Sequence, residues 1–304
     1  MNLFLNLFYK IIYQPKINYI IRNINYFLNP FFLGKIKIPP SGTINLKTDS
    51  GNIKMVTNQT SYLTQLLFWN GYKSFEYSEI FESLSKDISS FLDIGSNIGY
   101  YSLLAAKTNP EILAYAFEPA KGPKYYLKKN IKINNFENNI IHENIALSDS
   151  SGKIDFYEVE NVKYQYLEHN LAGEGNAGTK KTSRNFVKNT VNSKTLNQFF
   201  EDAKIKNIDL IKIDTEGTEI DILNSGVDNI KKFQPIIICE TLFNNIESEL
   251  DDFFNALDYQ FFNHTPLGLV KVSTIKRETD NGIRNCFFVP KSKLNLISKF
   301  VIKL

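Results

Sequence analysis

Apolar and polar positions along the 304-residue chain change rhythm near residue 91. Before it, Leu3, Phe4, Leu7, Phe8, Ile11 and Ile12 recur at helical spacing. After Pro15 a second stripe follows through Ile17, Ile20, Ile21, Ile24 and Leu28, so two short amphipathic helices are expected. Pro39-Pro40-Ser41-Gly42 reads as a linker, and Thr43 to Thr57 alternates around Ser50-Gly51-Asn52 like a hairpin. From Phe91 onward, short β-rich runs at 91–94, 112–117, 139–145, 208–213 and 235–240 alternate with helical patterns. That alternation is the signature of a parallel sheet with crossover helices, and runs at 259–263 and 285–289 supply later, edge-forming strands. The glycine-containing stretch from Asn161 to Val187 has few large apolar residues and reads as a mobile loop near the strand ends. The organisation expected is amphipathic helices over 1–40, a hairpin and lead-in helix over 41–90, and one α/β domain over 91–304.

Composition changes this picture little, because 43% hydrophobic and 22% charged residues are ordinary for a folded domain. A net charge of +3 gives no reason to expect a nucleic-acid partner. The distribution of charge is more informative. Lys10, Lys16, Arg22, Lys35, Lys37 and Lys47 all precede the first acid, Asp49. A basic, amphipathic segment over residues 1–38 suits docking on the catalytic domain, on a second copy of the chain, or on an anionic membrane surface. The first residues lack the pattern of a signal peptide or a membrane span, so a cytoplasmic location is expected, with peripheral contact at the inner face of the membrane as the alternative. Cys239 and Cys286 sit in apolar runs without metal-ligand spacing and read as reduced core residues.

Chemistry concentrates at strand ends. In Phe91-Leu92-Asp93-Ile94-Gly95-Ser96-Asn97-Ile98-Gly99-Tyr100 an apolar strand runs into an acid, a glycine turn and a helix start. Gly95 permits a tight turn and Gly99 a close helix, but the spacing is D-x-G-x-x-x-G and not the triple glycine of a diphosphate site. A carboxylate there suits a cationic sulfonium amino acid better than NAD. Glu118, before Pro119, ends the next strand about 25 residues later, near the ~20-residue spacing at which an acid meets ribose hydroxyls. Asn144 and Ala146 end the third strand and are candidates for the adenine edge. The fourth delivers Lys212, Asp214 and Glu216, where a Lys212 to Asp214 ion pair can coexist with a catalytic role. With Glu240 the acids form a trio able to bind a cation, but no histidine completes a metal motif and no metal is expected. His169, in the loop segment, is a candidate base that could fold over the pocket.

These blocks, DIGSNIGYYSLLAA, FEPAKGPKYYLKKNIKINN, NIALSDSSGKIDF, IDLIKIDTEGTEIDILNSG and NCFFVP, resemble the FkbM-type methyltransferases from about Phe91 to Pro290. The resemblance implies a class I, Rossmann-like sheet of seven mostly parallel strands with helices on both faces. It also implies S-adenosyl-L-methionine as cofactor and O-methylation, often of sugars or secondary metabolites in bacteria. Carried over, it assigns Asp93, Gly95, Asn97 and Gly99 to the methionine end, Glu118 to the ribose, and Asp214 with Glu216 to the active-site mouth. Ser96, Tyr100, Pro119, Asn144, Ala146 and Asp214 are further candidate cofactor contacts from the strand-end motifs themselves. One departure is Leu196-Asn197, where the family commonly has Leu-Asp. The function expected is transfer of a methyl group to a small-molecule or glycan hydroxyl; the alternative is a non-catalytic or membrane-docked binding protein that keeps the cofactor pocket.

Overall fold

The structure is a computed structural model that describes residues 3–32, 34–161, 163–171, 186–215 and 217–302. Helices α1 (Leu3–Ile12) and α2 (Pro15–Leu28) lead into a hairpin of β1 (Gly42–Thr48) and β2 (Gly51–Thr57). Helices α3 (Tyr62–Asn70) and α4 (Ser78–Ser85) follow. The alternating part then runs β3 (Ser90–Ile94), α5 (Tyr100–Thr108), β4 (Leu113–Phe117), α6 (Lys121–Ile133) and β5 (Ile140–Glu143). Three strands stand apart from the main sheet: β6 (Ala146–Leu147), β7 (Gly152–Val159) and β8 (Phe186–Lys194). The alternation resumes with α7 (Leu196–Asp202), β9 (Leu210–Ile213), α8 (Glu219–Asn224), α9 (Val227–Phe233) and β10 (Ile236–Glu240). The chain closes with α10 (Glu247–Ala256), β11 (Tyr259–Thr265), β12 (Gly268–Val272), β13 (Asn285–Pro290) and α11 (Leu294–Ile297).

The main sheet has the order β12-β11-β13-β10-β9-β3-β4-β5. From β10 to β5 all neighbours are parallel, and the residues of β10, β9, β3 and β4 are almost wholly buried because helices cover both faces. One face carries Phe91, Leu103, Leu104 and Leu127 with α4, α5 and α6. The other carries Leu92, Phe117, Ile211 and Ile237 with α7 to α10. The winding direction reverses between β3 and β9, so the loops after these two strands open a crevice at the carboxyl edge.

The mostly parallel, two-faced architecture agrees with the sequence reading, and three local features differ from it. An eighth strand, β12, is added by a hairpin on β11. The third strand stops at Glu143, and Ala146-Leu147 joins β8 instead, in a small sheet of order β6-β8-β7. The stretch read as one loop from Asn161 to Val187 contains described structure toward both ends. Residues 163–171 pack on α6, β8 begins at Phe186, and Gly173, Gly175 and Gly178 lie outside the described residues.

Candidate active site

The turn after β3 is built from left-handed backbone: Gly95 at φ 74°, Asn97 at 51° and Gly99 at 89°. A Cβ on Gly95 would fall 1.9 Å from the carbonyl oxygen of Asp214, so only glycine fits where the two strand-end loops touch. Ser96 N donates to Phe117 O at 3.0 Å, tying the turn to the end of β4.

Asp93 is 1% exposed. One carboxylate oxygen accepts from Ser102 N (3.2 Å) and Ser102 Oγ (2.6 Å), which fastens the first turn of α5 to β3. The other, Oδ1, is buried without a hydrogen bond among the described residues and lies 3.8 Å from Lys212 Nζ. Burial pushes the Asp93 carboxyl up from its usual range, and Lys212 opposes that shift. Lys212 is the register partner of Asp93 on β9; its ammonium donates to Gly95 O at 2.9 Å and lies 3.4 Å from Asp214 Oδ2. Burial works against the Lys212 charge, but Asp214, Asp93 and Glu76 outweigh it and hold its pKa above the ordinary value. The Lys212 to Asp214 pair read from the strand pattern is therefore present.

Glu118 is also 1% exposed, and its two oxygens accept from Asn97 N and Ala120 N, each at 2.8 Å. Glu118 thus joins the turn after β3 to the start of α6. A carboxylate at a strand end first meets the amides of the adjoining turn and helix, which is why both acids face inward. They do not line the open cleft.

That cleft is walled by Gly95, Pro119, Ala146 and Asp214 of the expected residues. Phe117, Ile145, Leu147 and Phe156 add apolar surface, and Asp155, Thr215 and Thr218 add polar groups. Its outer wall, Ile154 to Tyr157, belongs to β7, whose half-buried alternation carried too weak a signal to be singled out. Asp214 is the acid that reaches it from β9, with 41% of its side chain exposed. Glu219, buried beneath this loop, accepts from Thr215 N at 2.7 Å and Gly217 N at 3.0 Å and so holds the Asp214 segment in shape. Glu216 lies outside the described residues.

The remaining expectations fall elsewhere. Tyr100 is a core residue whose hydroxyl bonds to Ser78 Oγ at 2.7 Å among Phe75 and Tyr101. Asn144 accepts from Lys124 Nζ at 2.5 Å and borders a separate shallow groove. His169 packs on α6, with its ring 3.9 Å from that of Tyr125. Its backbone oxygen accepts from Asn58 Nδ2 at 2.8 Å, so the expected flap histidine is anchored away from the cleft wall. Cys239 and Cys286 are free, buried and paired in register on neighbouring strands. Among the described residues no group of three or more His, Cys, Asp or Glu could hold a metal.

Glu76 went unread in the sequence. It adopts φ 43°, accepts from Tyr101 Oη at 2.6 Å and borders a second cavity of about 790 Å³ at the same carboxyl edge. His264, Arg284 and Asn285 border that cavity too, and Arg284 is occupied by a two-pronged pair with Asp280 at 2.9 Å. Only the unusual backbone angle marks Glu76, and no sequence pattern announces one.

A cleft at the switch point with apolar walls, an acid at its mouth and a glycine that admits no Cβ fits a cationic nucleoside amino acid. Among the described residues it offers no cradle of cations for a diphosphate. Fold and site define a Rossmann-like protein of the class I methyltransferase type. A sequence profile of the Methyltransferase FkbM domain matches residues 93–261, and the chain belongs to that family, whose methyl donor is S-adenosylmethionine. It is 28% identical over 178 residues to methyltransferase sdnD of Sordaria araneosa, covering 51% of this chain and 68% of that protein. To methyltransferase 1 of Beauveria bassiana (strain ARSEF 2860) it is 27% identical over 168 residues, covering 51% and 67%. Among solved structures, methyltransferase FkbM from Methylobacillus flagellatus KT superposes with a TM-score of 0.42 at 14% identity. That match covers 66% of this chain and 44% of the solved chain, so this chain spans less than half of that protein's length.

Proposed function

We propose that this chain transfers a methyl group from S-adenosylmethionine to a hydroxyl of a sugar, polysaccharide or secondary-metabolite acceptor, with Asp214 taking the hydroxyl proton. The observation that carries this reading is the double placement of Asp214. It lines the cleft, part exposed, and its carboxylate is held 3.4 Å from the buried ammonium of Lys212. Glu216, two residues on, is the second candidate for the same role.

Gly95, with the turn through Ser96, Asn97 and Gly99, would receive the methionine end of the donor, above the buried acid Asp93. Phe117, Ile145 and Phe156 would pack the base beside Pro119 and Ala146, and Glu118 would act from behind, holding the turn and the start of α6 through Asn97 N and Ala120 N. Bound there, the donor supplies a methyl group on a positively charged sulfur. The chain supplies alignment, exclusion of water by the apolar walls, and a carboxylate to receive the acceptor's proton as its oxygen becomes the nucleophile. Asp155 and Asp214 bring negative charge to a cleft that is to hold a cation.

Incubating the chain with methyl-labelled donor and fractionated cell extract tests the reading. Label is expected in carbohydrate or small-molecule fractions, and Asp214→Asn is expected to lower incorporation about 100-fold, far more than it weakens donor binding measured by calorimetry. Label confined to protein or nucleic acid, or an undiminished rate in Asp214→Asn, would overturn it.

A further inference from the structure

Of the two helices ahead of the hairpin, α2 docks by its polar side, and both turn apolar side chains outward. Asn18, Arg22 and Asn25, at i, i+4 and i+7 of α2, form one buried stripe. Asn18 Oδ1 accepts from Ser41 N at 2.7 Å, and the Arg22 guanidinium donates to Ser41 O at 2.8 Å and Thr43 O at 2.6 Å. Asn25 donates to Ile36 O at 3.1 Å and accepts from Ile38 N at 2.9 Å. On the other side Ile20, Ile24 and Phe27 are 59%, 56% and 76% exposed. α1 likewise turns apolar side chains outward, its inward contact being aromatic. Tyr9 and Tyr13 pack edge-on against Tyr164 at 5.3 and 5.7 Å, while Leu7, Phe8 and Ile11 stay exposed.

Single exposed hydrophobics are common, but here an apolar stripe runs along two successive helices. Docking meanwhile buries a guanidinium whose two terminal nitrogens donate to backbone carbonyls. Water alone favours the reverse arrangement, so the outward stripe calls for an apolar neighbour. Charge identifies it. Lys10, Lys16, Lys35, Lys37 and Lys47 are exposed in a segment that holds no acid before Asp49. A second copy would bring the same cations to the contact, whereas anionic headgroups neutralise them. No helix among the described residues is long and apolar enough to cross a membrane, which fits a segment lying in the interface plane.

We propose that α1 and α2 form an in-plane anchor whose apolar stripe enters the headgroup region of an anionic phospholipid bilayer. This assignment is independent of which acceptor is methylated.

Flotation of the full chain with phosphatidylglycerol–phosphatidylcholine vesicles tests it, with circular dichroism and S-adenosylmethionine binding to verify folding. The chain is expected to float with the mixed vesicles and far less with pure phosphatidylcholine. The exposed-face variant Ile20→Ser/Ile24→Ser/Phe27→Ser is expected to lower the partition coefficient at least about tenfold, since each side chain withdraws apolar area from the interface. Lys10→Gln/Lys16→Gln/Lys35→Gln is expected to reduce binding toward the pure phosphatidylcholine level. Unchanged flotation of the serine variant would overturn the proposal. So would a wild-type dimer in light scattering that the serine variant dissociates without any vesicle binding, because the stripe would then belong to a second copy.

Discussion

Asp93 and Lys212 face each other in register on adjacent parallel strands, with the ammonium 3.8 Å from a carboxylate oxygen that has no hydrogen bond among the described residues. The same ammonium reaches Gly95 O and Asp214, so one buried cation joins both loops of the crevice.

Replacing Lys212 with Met would leave the Asp93 carboxylate buried without its cation. Urea denaturation is expected to show a loss of about 3–5 kcal/mol, the scale for breaking one side of a buried pair. Asp214→Asn should cost much less, because Asp214 is partly solvated. Equal losses for the two variants would place the weight of the network elsewhere.

Gly95→Ala puts a methyl group against Asp214 O at a left-handed backbone position. The expected outcome is a loss of about 1–3 kcal/mol in stability, read as a lowered thermal midpoint, together with weakened donor binding as the loops part. A variant with wild-type donor affinity would separate this turn from the cofactor site.

Acid should destabilise the fold through its half-buried histidines. Burial lowers His142 from its ordinary value to about 4 and lowers His264 as well. Between about pH 6.5 and 4 the unfolded chain therefore binds protons that the folded chain refuses at His142, and stability falls as pH falls through that window. After allowance for solvent screening, His142 is expected to contribute about 1–2 kcal/mol. His142→Gln should flatten the pH 4–6.5 limb of a denaturation series; an unchanged limb would assign acid sensitivity to other groups.

The parallel sheet was legible because buried strands such as Phe91 to Ile94 and Ile236 to Cys239 are unbroken apolar runs. Gly95, Pro119, Ala146 and Asp214 were legible as cleft residues because switch-point chemistry sits at strand ends. Which way an acid faces was not. Asp93 and Glu118 answer to the amides of Ser102, Asn97 and Ala120, and those partners depend on loop geometry that spacing does not encode. The covering strand β7 escaped notice because its alternation is only half buried. The docking side of α2 escaped too. Apolar periodicity marks a stripe without saying what it meets, and the buried stripe consists of Asn18, Arg22 and Asn25.

The central claim is that the crevice between the ends of β3 and β9 receives S-adenosylmethionine. Isothermal titration of the folded full chain with that compound, and separately with NAD, tests it most directly. Saturable one-to-one binding of S-adenosylmethionine that Gly95→Ala weakens, with no heat from NAD, is the expected result. Absence of S-adenosylmethionine binding by folded protein, or binding of NAD in its place, would contradict the account.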